Sequence, residues 1–121
     1  MAQIIRFFPR QMVYGGGTGL PALYSDIFEV PEAAQIVAEL RAYTFSGGAS
    51  TFVSAVIEDC MVPQMGPDSS WRTATSGALT ATGGTTISGS ALQRFVRGKL
   101  LISGSVSGAM VSLEGLTRDA T

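Results

Sequence analysis

The chain has 121 residues, a formal net charge of −1, 14% charged residues and 45% hydrophobic ones. It has no His and a single Cys, which excludes Ser-His-Asp and Cys-His nucleophile systems, His-ligated zinc and a disulfide-stapled scaffold. The near-neutral charge argues against nucleic-acid binding by phosphate neutralisation, no apolar run approaches the ~18 residues of a membrane span, and the N-terminal stretch lacks the features of a signal peptide.

Residues 1–23 read as an extended N-terminal arm. Ile4, Ile5, Phe7 and Phe8 form a short strand that Pro9 closes. Gly15-Gly16-Gly17-Thr18-Gly19 reads as a flexible stretch, and Pro21 keeps it from running into a helix. Residues 24–121 read as the body. Its first strand spans 24–30 and ends at Pro31.

Residues 32–45 fit two periods. Ala33, Ile36, Val37 and Leu40 make a helical stripe, whereas Ala34, Ile36, Ala38, Leu40 and Ala42 alternate as in a strand. The strand is preferred, because the segment runs through Thr44 and Phe45 into a Ser/Gly turn. A second strand-like run at 51–62 follows, and the two read as a hairpin. In that second run Val53, Ala55 and Ile57 share one face. Pro63, Gly66 and Pro67 make a loop, and Trp71 anchors what comes next.

Sixteen of the 18 residues from 73 to 90 are Gly, Ser, Thr or Ala. Alternation around Leu79 and Ile87 reads as one or two thin strands about a Gly83-Gly84 turn. Residues 94–103 and 109–118 read as a C-terminal hairpin, with Arg97 or Lys99 facing Glu114. Seven to nine short strands separated by Gly, Pro and Ser turns give an all-β fold, an antiparallel β-sandwich of jelly-roll type.

Few residues carry chemistry. The Gly15 to Gly19 run fits neither phosphate-binding pattern: the one Gly-Lys pair, Gly98-Lys99, precedes Leu100, and Leu20 takes the third slot of GxGxxG. Glu58 and Asp59 are adjacent, so on a strand they point to opposite faces and do not converge on a substrate. They read as solvated carboxylates at a sheet edge. Cys60 reads as a small buried or half-buried hydrophobe. Lys99 and Ser103 lie ~13 Å apart along one strand face, too far for a dyad. Trp71-Arg72, Tyr43, and Phe95 with Arg94 and Arg97 are candidates for stacking on sugars or bases, although Trp71 and Phe95 suit a core equally well. No catalytic, cofactor or metal site emerges, and the chain reads as a non-enzyme. The apolar N-terminal cluster either packs as an edge strand on its own sandwich or docks on a partner by strand addition. Ile5, Phe7, Phe8 and Arg10 are the candidate partner contacts.

The run ALQRFVRGKLLISGSVSGAMVSLEGLTRD at 91–119, the strands at 34–45 and 51–61, and the loop carrying Glu58 and Trp71 resemble a family of small virion proteins of tailed bacteriophages. The resemblance spans residues 30–119 and rests on pattern, not on a signature motif. It implies a capsid cement or decoration protein, or a fibre, tail or neck part, located in a virion assembled in the bacterial cytoplasm. Its partners would be the major capsid protein or other virion proteins, with no nucleic acid and no membrane. The low charge fits independently, since copies that pack together in a homo-oligomer gain from weak mutual repulsion. The competing expectation is a carbohydrate-binding β-sandwich with an exposed aromatic platform.

Overall fold

Alternation of inward apolar and outward polar residues builds the long elements. The computed structural model describes residues 2–13, 23–46, 52–62, 71–103 and 108–119. Its elements are all strands: β1 (Gln3–Val13), β2 (Leu23–Tyr24), β3 (Phe28–Glu29), β4 (Gln35–Ser46), β5 (Phe52–Cys60), β6 (Arg72–Leu79), β7 (Gly83–Gly89), β8 (Phe95–Ser103) and β9 (Gly108–Arg118).

One sheet has the order β1-β9-β4-β7 and the other β2-β8-β5-β6, with β3 continuing β2 along the same side of β8. All pairings are antiparallel. They nest: β1 with β9, β2 and β3 with β8, β4 with β7, β5 with β6. A long two-stranded ribbon has been rolled so that β9 also lies beside β4, and β8 beside β5. That is the jelly-roll form of the antiparallel β-sandwich.

The core lies between the sheets. Ile36, Ala38, Leu40 and Ala42 of β4 meet Val53, Ala55 and Ile57 of β5, with Val96 and Leu100 of β8 and Val111 and Leu113 of β9 beside them. Each is exposed by 2% or less, and each large aliphatic among them contributes about 1.5–3 kcal/mol. In β4 the period of two prevails over the helical stripe, because Val37 points outward between buried Ile36 and Ala38.

Four expectations need correction. First, the strand expected to close at Pro9 runs on through Gln3–Val13; it is bonded to β9 along its length, the edge-strand alternative, and residues 1 and 14–22 of the expected arm lie outside the described residues. A bulge between Arg6 and Phe8 turns both Phe7 and Phe8 inward. Gly98 of β8 makes room for them, since a Cβ there would lie 3.0 Å from Phe7 Cβ and 3.1 Å from Phe8 Cε2. Phe7 then meets Phe28 edge-on, with ring centroids 5.6 Å apart.

Second, the strand expected at 24–30 is interrupted. Ser25 N–H donates to the Gly98 carbonyl at 2.9 Å, and the Ser25 hydroxyl accepts from Gly98 N–H at 2.7 Å. The side chain thus replaces a backbone acceptor where the strand breaks.

Third, neither expected hairpin forms. β4 and β5 lie in different sheets, as do β8 and β9. A short connection spans the ~10 Å between packed sheets as readily as it turns a hairpin, so its length does not decide between them. Arg97 therefore pairs with Glu58, and Glu114 with Arg6.

Fourth, the turn between the thin strands falls at 80–82, with Gly83 and Gly84 inside β7. β6 and β7 also belong to different sheets. They close one side of the sandwich, where Gly77 leaves the space that Ile87 Cγ2 fills.

Candidate interaction surfaces

Three of the four expected contact residues face inward. Ile5, Phe7 and Phe8 are 1%, 4% and 3% exposed and belong to the chain's own core, so the folded sandwich does not present them to a partner. Arg10 is on the surface. Its guanidinium lies 4.2 Å from the centre of the Tyr43 ring, and its Nε donates to Met110 Sδ at 3.1 Å.

Alternation along β1 brings out the residues that the contact assignment passed over. Ile4 points away from Ile5 and is 76% exposed. It pairs with Leu116 of β9, which pairs with the 50% exposed Val37 of β4. These three make an apolar row across the outer face of the first sheet. The next row is charged. Arg6 pairs with Glu114 at 3.4 Å, and Arg41 holds both oxygens of Glu39 at 3.0 and 3.3 Å. Glu114 and Glu39 are direct cross-strand partners, a like-charge arrangement that costs stability unless cations flank it. Arg6 and Arg41 supply them. The signal for this face was present in the sequence as the i, i+2 sets Ile4/Arg6 and Ile5/Phe7.

On the outer face of the second sheet, Arg97 stacks between two rings, 4.4 Å from the centre of Tyr24 and 4.2 Å from that of Trp71. Its Nε donates to Glu58 at 2.8 Å. Trp71 is only 7% exposed, and Tyr43 is covered by Arg10. The aromatics considered for a stacking platform are thus largely occupied by the chain's own cations.

Asp59 is fully buried, which corrects its expected place among solvated edge carboxylates. β5 is an inner strand between β6 and β8, so neither Glu58 nor Asp59 stands at an edge. Asp59 accepts from Arg72 Nε at 2.7 Å and Nη2 at 3.1 Å, and from Gln93 N–H at 2.9 Å. Arg72 Nη2 also donates to the Ala91 carbonyl at 3.1 Å. One carboxylate therefore ties β5 to the start of β6 and to the segment entering β8. The hydrogen bond to Asp59, then its charge, hold the Arg72 guanidinium above the usual arginine range; Glu39 does the same for Arg41. Cys60 is buried, the first of the two placements expected of it.

Open clefts lie at two places among the described residues. One, of about 400 Å³, is lined by Glu29, Val30, Pro31, Glu32 and Arg94. The other, of about 250 Å³, runs between β1 and β2, with Phe8, Pro9 and Gln11 on one side and Leu23, Tyr24 and Asp26 on the other. Among the described residues no three His, Cys, Asp or Glu side chains converge as a metal site, and Glu29, Glu39, Glu58, Asp59 and Glu114 are engaged by arginines.

The chain is thus an antiparallel β-sandwich protein of jelly-roll form. No protein-family model and no curated protein matches it. Among solved structures it is similar to a chain in the structure of infectious bursal disease virus, Gx strain, with a TM-score of 0.63 and 13% sequence identity. The match covers 100% of this chain and 32% of that one, so this chain spans about a third of its neighbour. At this identity the likeness is one of fold.

Proposed function

We propose that the chain is a structural protein of a virus particle, without catalytic activity, and that it acts as a capsid cement or decoration protein. The observation that carries this reading is the single jelly roll, similar over its whole length to part of a chain from a virus particle. The surface supports it. The outer face of the first sheet offers an apolar row beside a charge-balanced one, the composition of a contact surface. The tailed-phage assignment, and the major capsid protein as partner, rest on the resemblance of residues 30–119. A protein that binds only the assembled shell stabilises that shell by mass action, and bridging capsid subunits requires no active site. A carbohydrate-binding role has less support, since Trp71 and Tyr43 are covered.

Co-sedimentation of the purified chain with particles from its own source tests the proposal. The expected result is migration with particles at a fixed, saturable stoichiometry. Ile4→Glu combined with Val37→Glu should lower that occupancy at least tenfold while leaving the fold intact. A wild-type chain that stays at the top of the gradient overturns the decoration role. Full occupancy by the double variant overturns the assignment of the contact face.

A further inference from the structure

We propose that β1 is an exchangeable strand, and that in an assembly of this chain the β1 of one copy takes the place beside β9 in another. This goes beyond the virion reading and does not depend on it. Four observations carry it. β1 is an edge of its sheet, so it leaves or enters without any other described strand moving. Its ladder partner among the described strands is β9, the one farthest from it in sequence. The sandwich is closed on the β6–β7 side, but a cleft of about 250 Å³ separates β1 from β2 on the other, a seam along which the strand can part from the second sheet. The connection from Val13 to Leu23 has nine residues, four of them Gly. Extended, it reaches ~30 Å, well beyond the ~10 Å between packed sheets.

The occupant is a second copy of this chain, because the vacated site is specific. It needs Ile5, Phe7 and Phe8 at the spacing set by the bulge, above Gly98, with Phe7 edge-on to Phe28. Another copy's β1 supplies all of these contacts, so exchange forfeits none of them and only association entropy opposes it. Crowding of copies in an assembly raises the effective concentration and offsets that term.

The test uses Arg6 and Glu114, exposed register partners on β1 and β9. In a Cys60→Ala background, Arg6→Cys and Glu114→Cys are made in separate chains, one isotopically labelled. They are co-refolded at high concentration and oxidised. A chain carrying both substitutions reports, by its internal cross-link, that the background folds with the native register. Exchange predicts a labelled–unlabelled disulfide heterodimer well above the homodimer background, and a several-fold higher yield when residues 15–20 are deleted, because the three residues left reach only ~10 Å and disfavour return to the same chain. An internal cross-link in the double variant without heterodimer from the mixture overturns the proposal, as does a yield unmoved by the deletion.

Discussion

Asp59 is the residue on which most depends, because it is a fully buried carboxylate whose partners come from two other segments. Breaking a buried pair from one side leaves the other group stranded, and the two sides differ here. The Arg72 side chain is 54% exposed, so water receives it when Asp59 is neutralised. Asp59→Asn also keeps an acceptor for Gln93 N–H and should cost only about 1–2 kcal/mol. Arg72→Ala leaves the buried carboxylate, among the described residues, with the Gln93 N–H, and should lower the urea midpoint by more than Asp59→Asn does. Equal midpoints would mean that water reaches the carboxylate. The sign of the pH effect follows from the raised Arg72 value. A cation whose folded value is raised gives stability that is complete below its ordinary range and is lost only as pH rises through the folded value. The Arg72 contribution is therefore flat across the neutral range.

At the level of elements, β1 separates core from contact. Phe7→Ser and Phe8→Ser should each destabilise by about 3–5 kcal/mol, as expected for removal of a buried ring, while Ile4→Ser should change stability by less than about 0.5 kcal/mol. Thermal melts of the three variants check this, and a large loss in Ile4→Ser would mean that its row is covered within the monomer. The same strand shows what the sequence makes legible. Strand positions followed from alternation, which is local, and β4, β5, β8 and β9 appear where it placed them. Strand partners did not follow. Three short connections that resembled hairpin turns are crossings between sheets, because pairing is decided by which distant strand completes a buried face. The burial of Ile5, Phe7 and Phe8 was hidden for a related reason. Ile5, Phe7 and Phe8 form an apolar cluster that looks like a liability until a bulge and Gly98, distant in sequence, give it a pocket. The Asp59 pair was equally hidden, since nothing local brings residues 59, 72 and 93 together.

For the molecule as a whole, nesting dictates how the chain folds. β1 and β9 join the two ends of the sequence, Gln3 with Thr117, and β9 lies between β1 and β4 at the centre of its sheet. β8 is likewise an inner strand of the other sheet. The two last strands in sequence therefore complete both halves of the core, and the chain must close its longest loops before most buried contacts exist. Loop closure of this kind slows folding, and sandwiches dominated by such pairings fold in roughly milliseconds to seconds, far slower than helical proteins of similar size. The single Trp gives the probe. Trp71 is buried with the Arg97 guanidinium 4.2 Å from its ring centre, so its fluorescence changes only when β8 has docked near the start of β6. In stopped-flow refolding from urea, Trp71 fluorescence and far-ultraviolet circular dichroism should rise together in that slow range. A fluorescence change complete within microseconds, well ahead of the dichroism, would mean that the Arg97 stack forms locally, before the ribbon has rolled.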